Sequence, residues 1–218
     1  MSISSSLVET AAIRSGAGTA RNYLSGPPET ACVATHTTMT DVQIPGLGTV
    51  VKDADLGWYR SGPVPVTVLG GQPCRFLIDG YDDDPAQEGF HSAIRNFLAL
   101  DHSALVAACP SIYAYYRDVM DDVQAAGDDD WYVAIEGPHT VLDHVRLGAE
   151  PIASRDPYGD QHVYISIECE CAWEPEHGLQ IVFRDGATVT KVGPYDGHLT
   201  NSAAYGDDGL DGVVYRSY

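Results

Sequence analysis

The sequence predicts an α+β fold, an antiparallel sheet or sheets with two helices packed on one side, and three observations lead there. Short β-branched and aromatic runs punctuated by Gly and Pro fill 42–79 and return after 130. Two stretches of helical period lie between them, near 85–100 and 103–126. Strands and helices are therefore segregated along the chain rather than alternating as βαβ units, the arrangement of α+β proteins.

The first β region reads as strands near 42–44, 48–52, 56–60, 64–69 and 74–79. Pro63 and Pro65 mark an edge, because proline cannot donate to a ladder. The next segment changes period. Phe90, Ala93, Ile94, Phe97 and Leu98 share one helical face. Asp84 stands as its N-cap, Pro85 at the first helical position and Gln87 at the capping-box position. That explains the acidic run 82–84 without calcium, since "DGYDDDPAQEGF" lacks the D-x-[DN]-x-[DN]-G spacing. In the second helix Leu105, Cys109, Ile112, Tyr116, Val119 and Val123 keep the period, Pro110 is expected to kink or restart it, and Gly127 closes it.

After Gly127 the sequence reads as strands at 131–136, 139–147 and 161–173. A hairpin over 178–197 follows, with Asp185-Gly186 as a type I′ turn pairing Arg184 with Ala187, Phe183 with Thr188 and Ile181 with Thr190. Period two along "HVYISIECECAW" places Val163, Ile165, Ile167, Cys169 and Cys171 on one face and His162, Tyr164, Ser166, Glu168 and Glu170 on the other. The two cysteines thus continue an apolar row as small core residues. Leu179, Ile181, Phe183 and Val192 fall on the core side of the hairpin.

A chain of 218 residues is long enough to bury a core without staples. Twelve Lys+Arg against 31 Asp+Glu give a net charge of −19, and residues 1–40 contribute none of it, since Glu9 and Glu29 balance Arg14 and Arg21. Such a chain repels nucleic acid and anionic membranes and attracts a basic partner, a cationic ligand or a divalent metal. Residues 1–40, rich in Ser, Thr, Ala and Gly, are expected to be a flexible segment, and 41–218 one α+β domain, with 127–130 as the place where it would subdivide. No run of 18 apolar residues occurs, and the N-terminus lacks the basic region of a secretory signal. The five cysteines, at 32, 74, 109, 169 and 171, form no disulfide framework, so a reducing cytoplasm is expected.

Chemistry concentrates in "ECECAWEPEHG". Glu168 and Glu170 share the outer face of a strand, and Pro175 and Gly178 turn the chain so that Glu174, Glu176 and His177 are displayed. Glu168, Glu170, Trp173, Glu174, Glu176 and His177 are the candidate partner-binding residues. Glu170, His177, Asp196 and His198 are the candidate metal ligands, an oxygen-rich set with two imidazoles suited to Mn²⁺, Mg²⁺ or Ca²⁺. No G-x-S-x-G elbow, Walker loop, H-E-x-x-H or C-x-x-C motif is present, so catalytic residues stay unassigned and the balance lies against an enzyme.

"WEPEHGLQIVF" (173–183) with "YDGHLTN" (195–201) resembles a C-terminal signature of an uncharacterised bacterial domain family, and "GLG…FLIDGY" (46–81) is similar to its β-rich start. The resemblance covers roughly residues 41 to 205; residues 1–40 and the tail "GDDGLDG" lie outside it. The family has no established activity, and some members have the look of toxin-immunity genes. The resemblance therefore implies binding ahead of catalysis and carries over no catalytic residue. Three readings stand: a cytoplasmic acidic binding protein of immunity type that docks a basic partner such as a toxin; a metal-dependent hydrolase or metal-binding protein; and a structural domain whose acidity serves solubility.

Overall fold

The computed structural model describes residues 41–156 and 159–217, the Asp129 side chain excepted. The expectation of a flexible segment over 1–40 lies outside the described residues. Eleven strands and three α-helices follow in order among them: β1 Val42–Ile44, β2 Gly48–Lys52, β3 Tyr59–Ser61, β4 Val64–Val66, β5 Gln72–Cys74, β6 Leu77–Ile78, α1 Glu88–Ala99, α2 Ser103–Ala126, β7 Val145–Arg146, β8 Ile152–Arg155, β9 Val163–Cys171, β10 Leu179–Arg184, β11 Thr188–Gly193 and α3 Asn201–Tyr205. Nine strands form one sheet in the order β1-β2-β3-β6-β8-β9-β10-β11, with β7 pairing β9, and β4 and β5 form a separate hairpin. Among the described residues every pairing is antiparallel except β6 with β8. The fold is thus mixed α and β with an antiparallel-dominated sheet. No single described helix is long and apolar enough to cross a membrane.

The two long helices form because their apolar residues repeat at helical spacing. α1 buries Phe90, Ala93, Ile94 and Phe97; α2 buries Leu105, Ala108, Cys109, Ile112, Tyr115, Tyr116 and Met120. These side chains join Val163, Ile165, Ile167, Leu179, Ile181, Phe183 and Val192 of the sheet in one core. Phe97 meets Phe76 and Phe183 edge-on, at centroid distances of 6.0 and 5.2 Å, the arrangement that aligns ring edges with ring faces. α2 runs through Pro110 without restarting.

The start of α1 differs from the capping expectation. The helix begins at Glu88 behind Gln87, whose amide donates to the Tyr81 carbonyl (2.9 Å) instead of closing a capping box. Asp84 does accept from the Ala86 N–H (2.7 Å), but its carboxylate also grips Arg155 of β8. β4 bears Pro65 and pairs only with β5 among the described residues, an edge position that suits a proline.

One expected strand is absent and another is cut to two residues. Residues 131–136 carry no ladder: the Tyr116 hydroxyl donates to the Val133 carbonyl (2.7 Å) and accepts from the Ile135 N–H (3.1 Å), and the Val133 N–H reaches Met120 Sδ. Side chains of α2 thus satisfy this backbone, so β-rich composition alone does not make it a strand. Residues 139–147 form a 3₁₀ turn, Val141–His144, followed by the two-residue β7. β8, Ile152–Arg155, forms where the sequence shows no strand pattern.

The hairpin register is also corrected. Asp185 and Gly186 adopt positive φ (51° and 62°) and the Ala187 N–H donates to the Arg184 carbonyl (3.0 Å), as a type I′ turn requires. Pairing nevertheless runs Arg184↔Thr188, Phe183↔Val189, then across a bulge to Val182↔Lys191 and Ile181↔Val192. The bulge inserts one residue into β11 and restores Val192 to the core side.

Candidate functional site

β9 is long enough to pair along one edge with two strands in succession. Its outer end pairs with β7 (Arg146↔Glu170) and its inner end with β8 (Ile152↔Ser166). Residues 147–151 leave the ladder between them. They are fixed elsewhere: Gln72 Nε2 donates to the Leu147 and Gly148 carbonyls (3.4 and 3.2 Å), and the Arg75 and Leu77 N–H groups donate to Ala149 and Pro151 (both 2.9 Å). Gly148 is required here, since a Cβ would lie 2.0 Å from the Glu168 carbonyl oxygen.

On the other side, β9 ends in a tight turn over 174–178. Glu174 organises it, its Oε1 accepting from the Glu176 and His177 N–H groups (3.1 and 3.2 Å) with His177 Nδ1 at 3.5 Å. The Gly178 N–H closes the turn on the Glu174 carbonyl (2.9 Å), and the Tyr115 hydroxyl donates to the Gly178 carbonyl (3.1 Å). Between this turn and the 147–150 segment lies a cleft of about 560 Å³.

The cleft gathers Glu168, Glu170, Glu174, Glu176 and His177 with Arg146, Glu150 and Gln72. Five carboxylates therefore face one guanidinium and one imidazole. Arg146 grips Glu170 through Nε (2.9 Å) and a second, closer nitrogen, and Glu150 pairs with Arg60 (2.7 Å). Glu174 is engaged by its own turn. Glu168 and Glu176 keep no cation partner among the described residues. Cys169 and Cys171 form the apolar back wall, buried at 2% and 7% exposure. Burial pushes the Cys169 thiol up to about 12 and the Cys171 thiol to about 11, so both are protonated and inert at neutral pH.

Trp173 differs from the contact role expected of it. It is buried, edge-on to Tyr115 and Tyr116 at 6.1 and 5.8 Å, and braces the turn from the core side. The four candidate metal ligands do not assemble either. Glu170 and His177 line the cleft, whereas Asp196 binds the buried Lys191 ammonium and caps the His198 N–H (2.8 Å). His198 lines a different cleft, with Asp156, Thr200 and Asp208. Among the described residues no three His, Cys, Asp or Glu side chains are grouped to hold a metal ion. Sequence reasoning missed Arg146, Glu150 and Gln72. They arrive through non-local pairings, and no local pattern marks them.

Residues 46–199 match the family described as a domain of unknown function, DUF6985, and since this is most of the chain, the chain belongs to that family. No match is found among curated proteins or among solved structures.

Proposed function

We propose that the chain is an acidic binding protein that docks a basic protein partner through the cleft between 147–150 and 174–178. One observation carries this reading: five carboxylates converge on a preformed cleft, and two of them, Glu168 and Glu176, lack a counter-cation among the described residues of a chain of charge −19. Unneutralised like charges brought close together are unfavourable, and a cationic partner relieves them while its approach is accelerated by the field. The cleft is built on a strand and a turn braced by Tyr115 and Trp173, so little ordering is needed on binding. A small basic toxin, neutralised in the cytoplasm, is the partner that fits this chemistry and the resemblance to immunity-type genes.

The test is charge reversal. Glu168→Lys with Glu176→Lys lies at the surface, leaves the circular dichroism unchanged and does not lower the melting temperature, since it relieves repulsion. Against a panel of lysine-rich peptides the double variant is expected to associate at least about ten-fold more slowly, with a weaker dependence on salt. Equal association of wild type and variant, or equal binding of glutamate-rich peptides, would remove the cleft from the reading.

A further inference from the structure

A second surface is set apart from the cleft by its chemistry. Trp131, 67% exposed, is the most exposed of the large apolar side chains among the described residues, and Tyr132 beside it is 43% exposed. The Trp131 ring is left in water, and Tyr132 beside it is half-exposed with its hydroxyl against Tyr116. They do not sit on a loose loop. The Trp131 N–H donates to the Asp128 carbonyl (2.9 Å), the Val133 N–H reaches Met120 Sδ (3.2 Å), and the Tyr116 hydroxyl bridges Val133 and Ile135. The segment is bolted to α2 after the rings at Val133 and Ile135, and before them the Asp128 N–H donates to the Val123 carbonyl (3.1 Å), so the rings are presented in advance.

The charge around them runs against an elementary rule. The C-terminal end of a helix carries partial negative charge and is stabilised by cations. α2 ends at Ala126 with no basic residue in its last turn, and Gly127 closes it through bonds to the Gln124 and Val123 carbonyls. Asp121 and Asp122 stand in the preceding turn, and Asp128 and Asp130 follow the cap. Of these, Asp121 alone has a cation among the described residues, Arg117 at 3.7 Å. A local rule broken without an internal compensation marks a place where something outside the fold supplies it.

We infer that Trp131, Tyr132, Asp128 and Asp130 form a docking surface for an arginine-bearing segment of a protein partner. A guanidinium stacks flat on the indole, held by the ring's negative face, and its N–H groups point outward to the two carboxylates; arginine suits this better than lysine because it is planar and weakly hydrated. Exposed Trp and Tyr beside complementary charge is also the composition of interaction hot spots. The inference does not rest on the cleft. It holds or fails whatever binds between 147–150 and 174–178.

The experiment uses the full chain and three octapeptides that alternate glycine with arginine, lysine or glutamate, titrated by calorimetry at low and at physiological ionic strength. The arginine peptide is expected to bind more tightly than the lysine peptide, and the glutamate peptide not at all. Trp131→Ala should weaken the arginine peptide about five-fold, the effect of losing one exposed cation–π contact, while Trp131→Phe restores part of it. Asp128→Asn with Asp130→Asn should weaken binding and flatten its salt dependence. Glu168→Lys with Glu176→Lys, in the cleft, leaves the Trp131 contribution intact. Unchanged affinity in Trp131→Ala would overturn the inference, and so would an arginine-to-lysine preference that survives it. A concentration-dependent dimer of the wild type that Trp131→Ala abolishes would overturn it too, by giving the surface to a second copy of the chain.

Discussion

Cys169 and Cys171 carry the most secure residue-level inference from the sequence, because a period of two is a local property of a strand. Continuing the Val163–Ile165–Ile167 row, they are buried where that row requires, and their thiols are raised to about 12 and about 11, chiefly by desolvation. Since the thiolate is the reacting form, iodoacetamide at neutral pH should label neither cysteine in the folded protein and both after unfolding in urea. Native-state labelling of either at the rate of a free thiol would contradict the packing. Lys191 was not legible in the same way. Alternation sets it opposite Val192, on the side of the sheet that two-layer folds leave to water, yet it is 1% exposed. Its ammonium donates to Gln180 Oε1 (2.8 Å), the Asp196 carboxylate and the His198 carbonyl (3.1 Å), and Gln180 in turn donates to Ser166 (3.0 Å). Burial lowers the Lys191 pKa, and the Asp196 contact works against that. Removing one partner of such a pair strands the other, so Asp196→Asn is expected to cost about 2–3 kcal/mol, and Lys191→Met in the same background to recover part of it. Denaturant titration of the single and double variants checks this; additive losses would mean the pair is not coupled.

Among the elements, what could be read was local and what could not was paired at a distance. Helices expected at 85–100 and 103–126 appear as Glu88–Ala99 and Ser103–Ala126, because a helical stripe is written within one segment. The strand expected at 131–136 fails because strand formation needs a neighbour, and there Tyr116 of α2 takes the backbone groups instead, while that expected at 139–147 turns on itself as a 3₁₀ segment and keeps only Val145–Arg146 as β7. The same limit applies to the cleft. Four of its carboxylates, Glu168, Glu170, Glu174 and Glu176, and its turn lie within one short segment and are legible there; Glu150 and the rest of the opposite wall, 146–150, come from a strand interruption that no local pattern shows. Asp84 illustrates the difference in energy. Burial alone would raise its pKa, but the Arg155 guanidinium and the Ala86 N–H outweigh that and leave the carboxyl below the ordinary value. The Asp84 and Arg155 side chains are 5% and 19% exposed, so Asp84→Asn should cost about 3 kcal/mol, far more than a lost helix cap, which is about 1 kcal/mol. A loss no greater than the cap value, measured by urea unfolding, would return Asp84 to the simple capping role. Gly186 ties the hairpin to α1. Its φ is 62° and a Cβ would lie 1.9 Å from the Ala93 carbonyl oxygen, while Asn96 donates to the Asp185 carbonyl (3.0 Å). Gly186→Ala is therefore expected to destabilise by more than the about 1–2 kcal/mol of backbone strain alone.

For the molecule as a whole, the charge of −19 and a small set of buried acids act on stability in opposite pH ranges. At neutral pH the excess carboxylates repel one another, and added salt should raise the melting temperature by screening that repulsion. Near pH 5 the net charge is smaller and salt should do less. On the alkaline side the buried groups take over. Tyr59 is raised from 10.0 to about 12 by burial and by the Asp82 carboxylate; Cys169 and Cys171 are raised from 9.0 to about 12 and about 11. Each holds its proton more tightly folded than unfolded. Their contribution is therefore complete below pH 9, where both states are protonated, and is lost as pH rises through the folded values, because the unfolded chain releases those protons first. Growing negative charge pushes the same way. Scanning fluorimetry from pH 5 to pH 11 at low and high salt should show a melting temperature that falls steeply above pH 9 in both salts. The fall should be shallower in Cys169→Ala with Cys171→Ala, whose starting stability is lower but no longer depends on thiol protonation. A melting temperature at pH 10 equal to that at pH 7, or a double variant with the same alkaline slope as the wild type, would show that these buried acids do not set the alkaline limit of the fold.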